Sequence, residues 1–150
     1  MGVVVESICV AAGFVGGRKA VGVVWDPQAE AKINILTLSM ADTKQYGILR
    51  LITPEWERAQ TVFKKAGFTA NITEVLAVEV ADRPGGLLDI LESIDMAGLN
   101  VEYMYAFTFG REDKAVLIFR FDNPDIAIEK LKGSGINIIG SVDLFEHRAK

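Results

Sequence analysis

The chain spells much of itself twice. Ile33-Asn34-Ile35 is answered by Leu99-Asn100-Val101, Gly47-Ile48-Leu49 by Ala115-Val116-Leu117, and Ala66-Gly67-Phe68 by Ser134-Gly135-Ile136. The spacing is about 68 residues, the mark of a duplication. A length of 150 residues fits one ordinary domain or two very small ones, and the repeat selects the second. The expected units are 1–73 and 74–150.

The second half carries the cleaner local signals. Val75 to Val80 is a β-branched run that stops at Asp82-Arg83-Pro84-Gly85-Gly86, a turn by both its proline and its glycines. Leu87, Ile90, Leu91, Ile94 and Ala97 then fall at helical spacing, and Gly98 supplies a stop. Leu99–Phe109 and Ala115–Phe121 are β-rich runs joined by the polar segment Gly110–Lys114. Asn123-Pro124 offers a cap with a first-turn proline, and Ile126, Ile128 and Leu131 give a short helix ending near Gly133 or Gly135. A last strand is expected from about Ile136 to Phe145. The order is β-α-β-β-α-β, and Thr53-Pro54-Glu55 starts the matching second helix of the first half.

One interval breaks the pattern. Between residues 11 and 29, where a turn and a first helix belong, Gly13, Gly16, Gly17 and Gly22 are followed by Asp26-Pro27, a poor helix composition. Gly17-Arg18 keeps the register of Gly85-Gly86, but Lys19 stands where an apolar residue is expected. Two explanations fit: a divergent first repeat, or a compensated reading-frame error, which resequencing the coding DNA separates.

Half of the residues are apolar, enough for a core, and the formal net charge is -4. No Lys/Arg cluster of the kind that neutralises phosphates is present, so no nucleic-acid partner is expected. Gly2–Gly17 is apolar, but Glu6 interrupts it and no positive charge precedes it. It reads as a buried strand rather than a secretory signal, and it falls short of the roughly 20 residues that span a bilayer. The single Cys9 fits a reducing cytoplasm and is expected to be buried and inert; His147, beside Arg148 and Lys150, reads as a solvated tail residue. No metal or cofactor site is expected. Tyr103, Tyr105, Phe107 and Phe109 alternate onto one strand face, either core or pairing surface, or the wall of an aromatic ligand site.

The Asp82–Gly86 turn is where ligand chemistry is most readable. Glycines after the proline let backbone N–H groups face a ligand, and the following helix leaves its first donors unpaired at a partly positive end. A carboxylate suits that end, and Asp82 could accept hydrogen bonds from an ammonium group. The competing reading is that Asp82 caps the helix and Pro84-Gly85 only shape the turn.

The segment Val78-Glu79-Val80-Ala81-Asp82-Arg83-Pro84-Gly85-Gly86-Leu87, followed by Ala97-Gly98-Leu99-Asn100-Val101, resembles the ACT domain, a regulatory fold of β-α-β-β-α-β order. The likeness covers the second half and the first half from about Ala31 to Glu74. It implies an α+β fold of tandem ferredoxin-like units, each a four-stranded antiparallel sheet with two helices on one face. It also implies an amino acid bound between units by the turn after the first strand and an Asn at the start of the second. By position these are Asp82, Arg83, Pro84 and Gly85, with Asn100, and Asn34 in the first repeat. There Phe14-Val15-Gly16-Gly17-Arg18 departs from the pattern, so at most one well-formed turn is expected per chain, completed by Asn34 or residues near Ser39 and Met40.

The resulting expectation is a non-catalytic, amino-acid-binding regulatory module, a homodimer that acts on a separate metabolic enzyme. An enzyme is disfavoured: there is no nucleophile–base pairing, HExxH or Walker-type loop. An RNA-recognition module shares the element order, but the residues around Tyr46-Gly47 and Phe109-Gly110 do not match its signature. A pairing module that regulates a partner enzyme without binding a ligand itself is the remaining alternative.

Overall fold

The computed structural model describes residues 3–13, 27, 29–42, 46–107 and 113–146. The chain divides into two compact units, Glu6–Thr73 and Met1–Val5 with Glu74–Lys150. The described strands of the first unit are β1 (Val5–Gly13), β2 (Thr37–Asp42), β3 (Tyr46–Ile52) and the beginning of β4 (Thr69–Ala81), with helix α1 (Trp56–Lys65) before β4. Their order in the sheet is β2-β3-β1-β4. The second unit runs from the remainder of β4 through α2 (Gly86–Met96), β5 (Val101–Ala106), β6 (Lys114–Phe121), α3 (Pro124–Gly133), β7 (Ile138–Ile139) and α4 (Ser141–Glu146). Its strand order is β5-β6-β4-β7. Each order reads second, third, first, fourth strand, so the two units share one ferredoxin-like topology. Strand β4, 13 residues long, closes the first and opens the second. This is longer than the Val75–Val80 run that the sequence marks, because residues 69–73 serve the first unit.

The cores follow from strand register. Leu49 pairs with Val10 on one side and Met40 on the other, which puts all three side chains on one sheet face. There Ile8, Val10, Leu49 and Leu51 pack in one cluster with Ala59 and Phe63, four residues apart on α1. In the second unit Leu76 faces Phe119 and Val78 faces Leu117. These pack with Ile94 of α2 and with Ala127 and Leu131 of α3. The residues turned inward differ from the expected stripe: Leu87 is 43% and Ile126 45% exposed, while Ala127 is fully buried. The i, i+4 pair Ala127 and Leu131 thus sets the buried side of α3, and Ile126 turns outward.

Three helices end the same way. After α1, α2 and α3 come Gly67-Phe68, Gly98-Leu99 and Gly135-Ile136, each glycine at positive φ. The apolar residue that follows donates its N–H to the carbonyl of Phe63, Ile94 and Leu131 respectively, at 3.0, 3.1 and 3.1 Å. This is the Schellman closure, in which a left-handed glycine turns the chain back so that an apolar residue meets the helix's last buried side chain. The rings of Phe63 and Phe68 meet edge to face at 6.4 Å.

Helix starts vary more. Asn123 caps α3 as expected, its Oδ1 accepting from Ile126 N at 3.1 Å, with Pro124 in the first turn. Helix α1 begins later than Thr53-Pro54-Glu55 suggests: Glu55 is the N-cap, and its carbonyl accepts the first helical bond from Ala59 N. The Thr53 hydroxyl instead accepts from Glu55 N at 3.3 Å, so Pro54 lies ahead of the helix. The expected strand from Ile136 to Phe145 is also corrected. Only Ile138–Ile139 pairs with β4, and after Gly140 the chain enters α4, where Asp143 lies in the first turn and Leu144 is buried. A helical turn buries Leu144 while leaving Val142 and Asp143 in water. Of the irregular interval 11–29, residues 14–26 and 28 lie outside the described residues, as does most of the Gly110–Lys114 connection.

Phe63→Ala should cost about 3–5 kcal/mol, because it empties a fully buried site and removes the contact that closes α1. Urea unfolding measures it; a loss below about 1 kcal/mol would contradict this packing.

Candidate functional site

The β4–β6 register carries one step past the Ala81–Lys114 pair, Asp82 N–H donating to Asp113 O at 2.7 Å, and the chain then leaves the ladder as Arg83 N turns back to Ala81 O at 2.9 Å. Gly86 N donates to Arg83 O at 3.0 Å, closing a tight turn around Pro84 and Gly85. Gly85 sits at φ +87°, a conformation that other L-residues adopt at a cost. Gly86 is needed for a different reason: a Cβ there would lie 2.0 Å from Ala81 O. The first residue of α2 therefore rests directly on the last carbonyl of the strand.

Gly85 is the N-cap of α2, and no side chain caps the helix. The first helical bond is Asp89 N to Gly85 O at 3.1 Å. The N–H groups of Leu87 and Leu88 find no acceptor among the described residues. A helix N-terminus with open donors attracts a carboxylate. Asp82 is exposed and, among the described residues, its carboxylate has no hydrogen-bond partner, so the capping role that competed with ligand binding is not the one it plays here.

Arg83 is committed within the turn. Its Nη1 donates to Pro84 O at 3.1 Å, and its Nη2 pairs with the Asp89 carboxylate across the first turn of α2. Nη1 also lies 3.6 Å from the position a Cβ on Gly85 would take, so the guanidinium covers the glycine. The sequence reading missed this pair. Its only sequence signal is an acidic residue in the first turn, where the helix dipole already favours one. The apolar exposure of α2 was missed as well: Leu88 is 56% and Met96 88% exposed.

The six residues singled out in the sequence fall into three places. Asp82, Arg83, Pro84 and Gly85 are contiguous and exposed at the end of β4. Asn100 is exposed immediately before β5. Asn34 is exposed ahead of β2, in the other unit. Strand register separates the first two within the second unit. Ala81 is opposite Lys114 at one end of β6, and Val101 is opposite Phe121 at the other. The length of β6 between those levels is roughly 23 Å, so the turn and Asn100 of one unit lie at opposite ends of its sheet.

Elsewhere, Cys9 Sγ lies 3.5 Å from Thr73 Oγ1, in the first unit. Tyr103 and Tyr105 share a face and stack at 6.4 Å, with Phe107 half-buried beyond them; Phe109 and His147 lie outside the described residues. On β2, Ser39 is half-buried and Met40 exposed. The described residues contain no group of His, Cys, Asp and Glu able to hold a metal ion, and no described helix is long and apolar enough to cross a membrane.

Comparison with known proteins gives the same architecture. Protein BT0572 from Bacteroides thetaiotaomicron is 28% identical, with a TM-score of 0.85 over 96% of this chain and 97% of that one. The regulatory subunits of aspartate kinase from Thermus flavus and Thermus thermophilus share the fold at 10% identity. Their TM-scores are 0.59 and 0.60, each over 87% of this chain and 92% of theirs. No curated protein matches the sequence. The family model described as an ACT domain pair matches residues 16–147. The chain belongs to the ACT domain pair family.

Proposed function

We propose that the chain is a non-catalytic, cytoplasmic regulatory module that binds a small amino-acid-like ligand at the turn between β4 and α2. One observation carries the reading: α2 begins without a side-chain cap, and among the described residues the Leu87 and Leu88 N–H groups find no acceptor and the Asp82 carboxylate, in the turn that leads into the helix, has no hydrogen-bond partner. Those are the two halves of amino-acid recognition, donors for the carboxylate and an acceptor for the ammonium. Membership of the ACT domain pair family supports it. The aspartate kinase regulatory subunits of the same fold suggest the manner of use, a module whose ligand controls a catalytic chain that is another polypeptide.

In this reading Asn100 acts on a ligand held by the turn of a second chain, since its own turn is at the far end of the sheet. The protein is then a homodimer, and ligand binding reports by changing how the chains pack. A second reading, a pairing module without a ligand, draws on the exposure of Leu88 and Met96 on α2 and Ile126 on α3.

Isothermal titration of the folded chain with each of the twenty amino acids separates the two. The first reading predicts saturable heat from one amino acid or a small related group. It further predicts that Asp82→Ala weakens that binding by about tenfold or more, equivalent to about 1.4 kcal/mol. Stability should stay within about 0.5 kcal/mol of the parent, because Asp82 caps nothing. No heat from any of the twenty would overturn the ligand reading and leave the pairing module.

A further inference from the structure

We infer that each unit latches the corner where a helix gives way to its second strand, using a cation from the helix that follows its third strand, and that the two latches are one device built a helical turn apart. The latches hold whether or not the turn after β4 binds a ligand.

The two corners have the same backbone. Ahead of β2 the chain finishes a helical turn in which Ala31 N donates to Pro27 O at 3.1 Å and Lys32 N to Ala29 O at 3.0 Å, with Lys32 at φ 55°. At the end of α2, Ala97 N donates to Ser93 O at 3.1 Å and Gly98 N to Asp95 O at 2.8 Å, with Gly98 at φ 62°. Ala31 and Ala97 are therefore equivalent, spaced as Asn34 and Asn100 are. Each stands where a helix runs out of partners for its carbonyls.

In both units a cation fills that place. Arg58 Nη2 of α1 donates to Ala31 O, and Lys130 Nζ of α3 donates to Ala97 O, each at 2.6 Å. A cation is favoured at the negative end of a helix, and here it also ties together two elements far apart in the chain. The two cations do not correspond in the repeat. The buried pairs Ala59 with Phe63 and Ala127 with Leu131 align α1 with α3, so Arg58 corresponds to Ile126 and Lys130 to Val62. Positions 126 and 130 lie one turn apart on the same helix face, so one carbonyl is within reach of a long side chain from either. The bond recurs although the residue that makes it does not.

Each latch secures the start of an outer strand. β2 pairs with β3 and β5 with β6, and each stands at the end of its unit's strand order. The corner that feeds such a strand is a natural point for local opening, and the cation holds it to the other helix. Asn34 and Asn100 follow three residues beyond the latched carbonyls, so the latches bear on their position as well.

Amide hydrogen exchange of the full chain, read residue by residue by nuclear magnetic resonance, tests this. Lys130→Met should speed exchange at Gly98 and Leu99 by about two- to fivefold, the size of an exposed charge at a helix terminus, and leave Lys32, Gly67 and Phe68 unchanged. Lys130→Arg retains a cation and should retain the parent's rates. Adding Ile126→Arg to Lys130→Met puts the cation where the first unit has it and should restore most of the lost protection. Lys130 and Ile126 are both exposed, and unfolding midpoints establish that every variant is folded. Unchanged rates at Gly98 and Leu99 in Lys130→Met would overturn the latch. So would an equal acceleration at every protected amide of the second unit, the sign of general destabilisation. If Ile126→Arg restores nothing, the two ties are not one device.

Discussion

The close approach of α2 to the end of β4 is the constraint on which the second unit turns. With no side chain at Gly86, the helix can start directly above the Ala81 carbonyl, where even a methyl group would collide. The helix start carries no side-chain cap. The cap is instead a glycine in the left-handed conformation, and among the described residues the Leu87 and Leu88 N–H groups find no acceptor. What makes the turn tight is therefore also what makes it chemically available. The same closeness brings Arg83, at the strand end, within reach of Asp89 on the helix.

One of the three repeated segments visible in the sequence is helix-ending chemistry. The pair Ala66-Gly67-Phe68 and Ser134-Gly135-Ile136 repeats because both close a helix through a left-handed glycine and an apolar residue. Ala97-Gly98-Leu99 does the same for α2 without being part of that pairing. Two units that each need a helix to return its chain to a sheet call for the same three-residue solution. Strand order, second-third-first-fourth in both, is the deeper repeat, and β4 links the copies by ending one and beginning the other.

The parts of this fold that were legible in the sequence are those with local chemistry. Asn123-Pro124 announces a helix start, the glycine-apolar pairs announce helix ends, and Asp82–Gly86 announces the turn. Side-chain direction was less legible, because Ile126 and Ala127 are adjacent and only packing decides which is buried. The tail after Ile136 misled for a similar reason: an apolar run broken by Gly140 suits a strand or a short helix, and burial of Leu144 favours the helix. At the site, the turn was readable but its separation from Asn100 was not, since that depends on how β4, β5 and β6 are registered. The Arg83–Asp89 pair was hidden by its spacing, which bridges a turn and a helix and matches the period of neither.

The proposed ligand site of this ACT domain pair is the turn that opens α2 in the second unit. Amide-resolved nuclear magnetic resonance, following the chain as the amino acid that binds in calorimetry is added, tests it most directly. A ligand at the turn gives saturable shifts concentrated at the amides of Gly85, Leu87 and Leu88, with the same midpoint as the heat. Binding that leaves those three amides unmoved while shifting others would contradict it.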